Sequence, residues 1–207
     1  MNVIQAYLKY NKQFVILISG LSGSGKSELA KLMINDFKFK LINLNDYYKK
    51  HYNKIVTLKK KDDNNLQIVD WDDINAINWD LFNDDITKYI NEKIGLIIVG
   101  SIFPTEQLKF TQDIHYHIKI SKQTLFERRH IFLDKHKKDI EPILYDIKDT
   151  ETEQLIFDKI TEPHYKEYLE KSKVSKFVNA NINTIDQIYD IVFEHVIDFV
   201  QKYLEKR

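Results

Sequence analysis

The sequence contains no cysteine. That excludes a disulfide framework, a thiolate metal site and a cysteine nucleophile. Arginine is nearly missing: it stands only at 128, 129 and 207, and lysine carries the rest of the positive charge. Net charge is also missing, since Lys+Arg and Asp+Glu both number 31. A mainly electrostatic nucleic-acid binder is therefore not expected, and only local patches remain open. No apolar run approaches membrane-span length. The first thirteen residues, MNVIQAYLKYNKQ, lack the apolar core of a signal peptide. A cytoplasmic protein is expected, with neither nucleic acid nor membrane as partner. The seven histidines show no metal-ligand spacing. His115 and His117 share one strand face with no third ligand nearby, which leaves them as packing or surface residues.

What is present is concentrated at residues 20–27, GLSGSGKS. The stretch fits G-x-x-x-x-G-K-[ST], the phosphate-binding P-loop. An apolar strand pattern precedes it at 14–19 (FVILIS), and an amphipathic helix pattern follows at 28–37, with Leu29, Leu32, Met33 and Phe37 on one side. Gly20, Gly23 and Gly25 permit the tight turns that bring backbone N–H groups of Leu21, Ser22 and Ser24 toward phosphate oxygens. The helix that starts near Lys26 and runs into Glu28 directs its positive end at the same anion. Lys26 supplies an ammonium for the outer phosphates, and Ser27 a hydroxyl for Mg²⁺. ATP and Mg²⁺ are the expected cofactors, although nothing in the pattern separates ATP from GTP.

The rest of the chain alternates strands and helices. Strands are predicted at 39–44, 95–101, 114–120 and 176–180, and helices at about 74–90, from Ser121 onward, at 151–173 with a break at Pro163, and at 184–204. Thr184 and Gln187 have capping-box spacing. Residues 1–13 suggest a short helix or arm, 49–65 an exposed loop or small hairpin, and 134–149 a charged stretch without periodicity. The pattern predicts a parallel α/β sheet with helices on both faces, in one domain spanning 1–207.

A P-loop alone does not separate a kinase from a GTPase or a motor ATPase. The chain has no N-K-x-D base-reading motif and is short for a motor. Four stretches in order resemble the uridine kinase and nicotinamide riboside kinase group of P-loop kinases. They are the P-loop, Asn45-Asp46-Tyr47-Tyr48, Trp71-Asp72-Asp73-Ile74-Asn75-Ala76-Ile77-Asn78-Trp79, and Glu127-Arg128-Arg129; a Pro–Tyr segment at 161–168 adds to them. Together they span 14–170, and only the P-loop is specific alone. The resemblance implies a P-loop NTPase fold of the nucleoside monophosphate kinase-like type, with a helical lid around 121–160. It also implies phosphorylation of a riboside 5′-hydroxyl. Nicotinamide riboside is favoured over uridine or cytidine, because the chain has Trp-Asp-Asp-Ile where uridine kinases tend to have Phe-Asp-His-Pro.

The roles carried over are physical ones. Asp46 is assigned the base or Mg²⁺-orienting role, against a solvated turn residue. Asp72 is assigned the ribose hydroxyls, since a carboxylate presents two acceptors to a vicinal diol, against helix N-capping. Asp70 and Asp73 compete with it. Trp71 either stacks on a flat or cationic ring or packs in the core, and Tyr48 is a further candidate for the substrate. Of Arg128 and Arg129, about 100° apart on a helix, at most one faces the phosphates; a solvated helix face is the rival reading. One departure stands out. The strand at 96–99 ends in Val99 where the family has an acid. Asp46 alone, Glu106 reaching in, or weak turnover are the open consequences, and a nucleotide-binding module that no longer catalyses transfer is the alternative. Oligomeric state is left open.

Overall fold

The computed structural model describes residues 4, 7, 8, 11, 13–61, 64–136 and 150–206, with backbone alone for 132–136. Five parallel strands form the main sheet: β1 (Val15–Ser19), β2 (Lys40–Asn43), β5 (Leu96–Gly100), β6 (Ile114–Lys119) and β7 (Lys176–Asn179), in the order β2-β5-β1-β6-β7. β1 is central and is buried along its whole length. Its alternate residues face opposite layers, which is why its sequence is apolar throughout rather than alternating.

Ile16 and Ile18 pack with α1 (Lys26–Phe37) and α6 (Ile185–Glu205), through Leu29, Met33, Val192 and Val196. Val15 and Leu17 pack with α2 (Trp79–Asn91), through Phe82 and Ile86. Helices thus cover both faces. This is the α/β P-loop NTPase fold expected from the sequence: a parallel sheet with the phosphate loop joining its central strand to the first helix.

α6 begins as its capping box predicts. Gln187 N–H donates to Thr184 Oγ1, and Thr184 N–H to Gln187 Oε1, at 3.3 and 2.8 Å. The polar stretch at 49–65 resolves into part of an antiparallel hairpin, β3 (Ile55–Lys59) and β4 (Asn65–Val69). Ile68 and Val69, ahead of the helix predicted from about residue 74, therefore belong to a strand.

That helix also starts later than its apolar spacing suggests. Asp73 accepts from Asn75 N–H at 2.7 Å and closes a 3₁₀ turn over Ile74–Ala76. Ile77 is then extended and bridges to Tyr48, and Asn78 caps α2 through Leu81 N–H at 3.2 Å. Two short polar side chains in succession bind local backbone and hold the chain out of the helix.

After α3 (Lys122–His136), the chain is described again from α4 (Thr150–Ile156). Most of the charged stretch at 134–149, the middle of the expected lid, lies outside the described residues, as does much of the N-terminal arm. Residues 4, 7, 8 and 11 of that arm are helical, and Ile4 and Tyr7 are buried. The break expected at Pro163 is a π turn, Phe157–Thr161, just before α5 (Glu162–Glu170). Glu162 N–H reaches back to Phe157 O. Pro163 has no N–H to give the turn before it, and the backbone widens there without stopping. Among the described residues no helix is long and apolar enough to cross a membrane.

Candidate functional site

The loop after β1 is tied down at both ends. Gly20 N–H donates to Ser101 O at 3.1 Å, and Ser24 N–H to Leu21 O at 3.0 Å. Gly23 and Gly25 have φ of 89° and 94°, in the left-handed region. A Cβ on Gly23 would lie 3.3 Å from Arg129 Cγ. Gly25 starts α1 without a side-chain cap, so the first-turn N–H groups stay directed into the loop. Ser24 Oγ is buried and finds no hydrogen-bond partner among the described residues. Lys26 Nζ folds back onto Leu21 O at 3.2 Å. Burial lowers its pKa to about 8, partly offset by Glu28. A ring of uncapped donors, an orphan hydroxyl and a desolvated ammonium form a cradle that fits a polyphosphate.

A cavity of about 650 Å³ opens beside this loop, at the carboxyl ends of the strands, where open α/β sheets bind ligands. Leu21 and Ser22 border it on the loop side. Trp71, Asp72, Thr161 and Tyr165 line it as well. Asp72 is not a cap: its Oδ2 accepts from Thr161 Oγ1 at 2.7 Å, and burial raises its pKa. Its competitors are engaged elsewhere. Buried Asp70 pairs with Lys54 and His164 at 3.2 and 3.1 Å. Asp73 borders the cavity but binds Lys54 and caps the 3₁₀ turn. Trp71 is 39% exposed, so it is not a core residue. Its ring lies 5.8 Å from those of Tyr48 and Tyr52, against the cavity. Tyr48 lines the cavity too, and burial beside Asp72 pushes its pKa up to about 12.

The two arginines separate. Arg129 borders the cavity, pairs with buried Glu153 at 3.0 Å and lies against Gly23. Arg128 donates to Ala180 O at 2.8 Å and does not line the cavity. Asp46 is not brought in either. The 3₁₀ turn Leu44–Tyr47 sends Leu44 and Tyr47 into the core and Asn45 to the cavity, which leaves Asp46 exposed. Successive residues of such a turn point about 120° apart, and the acid is one position out of register with the site. Val99 is buried at the end of β5, with Ser101 bordering the cavity beyond it. Glu106 is exposed and 3.9 Å from Lys171 Nζ, away from the cavity. Ser27 and Glu28 are exposed in the first turn of α1. For Mg²⁺ the described residues offer Ser27 Oγ at the end of the loop, with the Glu28 carboxylate next to it in the first turn of α1. This suits an ion that arrives on the nucleotide's phosphates and keeps its waters.

No family model and no curated protein matches the chain. Among solved structures, it is similar to a gluconokinase from Sinorhizobium meliloti 1021, at 12% identity over 93% of this chain and 94% of that one, with a TM-score of 0.46. It is also similar to an uncharacterized protein from Eubacterium ventriosum ATCC 27560, at 17% identity over 90% and 98%, with a TM-score of 0.48. The fold assignment rests on strand order and the phosphate loop, not on either neighbour.

Sequence reading missed one wall of the cavity. Thr161, His164, Tyr165 and Tyr168 all line the cavity, and their spacing of i, i+3, i+4, i+7 is a polar stripe that the sequence does carry. It also missed what lies behind that wall. His115 and His117 are buried and bonded to Ser19 Oγ at 2.7 and 2.8 Å, and His117 Nε2 meets Tyr165 Oη at 2.5 Å. Burial lowers both imidazole pKa values to about 4, so both are neutral at pH 7.

Proposed function

We propose that the chain is an ATP- and Mg²⁺-dependent kinase of a small hydroxylated acceptor, with a riboside 5′-hydroxyl as the receiving group. Nicotinamide riboside is the first candidate, and uridine or cytidine the next. One observation carries the reading: a phosphate cradle and an aromatic, acid-lined cavity share residues Leu21 and Ser22. Donor and acceptor would therefore meet at the mouth of the P-loop.

The division of labour follows from the geometry. Loop N–H groups and Lys26 hold and neutralise the transferring phosphoryl group, which needs positioning and charge stabilisation more than covalent help. Arg129 sits where a guanidinium would reach the same oxygens. Ser27 Oγ would hold Mg²⁺, which would supply charge neutralisation at the phosphates. Trp71 and Tyr48 suit a flat ring, and a cationic pyridinium is the ring an aromatic face attracts most. Asp72, with one oxygen held by Thr161, offers the other to sugar hydroxyls.

A second reading has its own observation. Val99 and outward-facing Asp46 leave the loop side of the cavity without an acid, as in a module that binds nucleotide and does not turn it over. ADP release with Mg²⁺–ATP, across nicotinamide riboside, uridine, cytidine, adenosine, thymidine and no acceptor, separates the two. Acceptor-dependent release, reduced in Asp72→Asn and unchanged in Asp46→Asn, is the expected result. ATP binding without release on any acceptor would leave the binding module.

A further inference from the structure

The hydrogen bonds behind Tyr165 form one unbranched chain, and its polarity is fixed at the far end. His115 Nδ1 lies 3.2 Å from Lys173 O, a carbonyl that can only accept. His115 therefore carries its proton on Nδ1, and its Nε2 accepts from Ser19 O–H. Ser19 Oγ then receives the Nδ1 proton of His117, whose Nε2 accepts from Tyr165 O–H. The neutrality that burial imposes on both imidazoles removes the alternatives. The phenol proton thus points inward, away from the cavity. Four residues before it, Thr161 gives its hydroxyl proton to the Asp72 carboxylate.

We propose that this wall selects its ligand by hydrogen-bond polarity: Thr161 and Tyr165 present only oxygen lone pairs, with the Asp72 carboxylate beside Thr161, so the group seated against them must be an O–H or N–H donor, as on a sugar or other polyol, and not a carbonyl, ether or phosphate oxygen. The inference rests on reading the cavity as the acceptor site, and it narrows that reading to donor-rich molecules. Tyr165 is a specificity residue in direct reach of the ligand. Ser19, His115 and His117 are positioning residues that act through it.

The first test needs no ligand. Long-range ¹H–¹⁵N spectra of the histidine-labelled protein at pH 7 report which ring nitrogen carries the proton. Both His115 and His117 are expected as Nδ1–H tautomers. An Nε2–H tautomer at His117 would let Tyr165 donate outward and overturns the proposal. The second test is calorimetric binding of nicotinamide riboside and uridine to the wild type and to Tyr165→Phe. A riboside that binds should bind the variant roughly three- to tenfold more weakly, with ATP affinity unchanged. A lowered melting temperature with unchanged riboside affinity marks a purely structural role and sinks it. If neither riboside binds, the riboside reading fails by itself, and the His117 tautomer still decides the polarity of the wall.

Discussion

The two ends of the cavity are built from opposite materials. At the P-loop the protein offers donors: backbone N–H groups at the start of α1, and the Lys26 ammonium. At the wall formed by Thr161 and Tyr165 it offers acceptors, because Thr161 gives its proton to the Asp72 carboxylate beside it and Tyr165 gives its proton to His117 behind it. The first end suits an anion and the second a hydroxylated molecule. A phosphoryl donor and an alcohol acceptor would be sorted by this polarity before any chemistry begins.

Breaking the donor end should have the largest effect. Lys26→Ala removes the ammonium of the cradle, and turnover should fall by about 10²–10³, measured as ADP release at saturating acceptor. Breaking the acceptor end should cost less. Asp72→Asn keeps the shape and replaces a charged acceptor by an amide. The riboside KM should rise by roughly ten- to a hundredfold, as expected for losing a charge-assisted hydrogen bond, with ATP affinity unchanged. Equal losses for both ligands would mean that the ends are not separate.

A pH titration sharpens the same contrast. Lys26 titrates at about 8 in the free protein, and a bound polyphosphate raises that value. Above pH 8 the complex therefore holds a proton that the free protein has lost, so ATP affinity should fall as pH rises, by at most about tenfold per unit. In Lys26→Arg, which stays charged, the decline should flatten. The smallest effect should come from outside the comparison. Thr184→Ala removes the cap of α6 and should lower stability by about 1 kcal/mol, a melting shift of about 2–4 °C, with both affinities intact.

The donor end was legible in the sequence and the acceptor end mostly was not. The phosphate loop lies in eight consecutive residues, so its motif and its chemistry coincide. α6 was equally plain, because Thr184 and Gln187 sit at a fixed local spacing. By contrast, whether Asn45 or Asp46 meets the cavity depends on a 3₁₀ turn whose phase the local pattern does not show. Arg128 and Arg129 part company only once α3 is set against Ala180 on one side and Gly23 on the other. The Ser19–His117 bond requires the β1–β6 register, which pairs residues 98 positions apart. Spacing did place His115 and His117 on one strand face; it could not show that Ser19 stands between them.

The neutral histidine pair has a consequence for acid. Each imidazole is held at about 4 when folded and returns to the ordinary 6.5 when the chain unfolds. Between those values the unfolded chain takes up protons that the fold refuses, so stability is intact above pH 6.5 and drains away as pH falls toward 4. The protons that unfold this protein would settle between its central strand and β6, directly beneath the phosphate loop. Mild acid should therefore dismantle the sheet at its centre and abolish nucleotide binding in the same step, and circular dichroism and ATP binding followed across pH 7 to 4 should decline together.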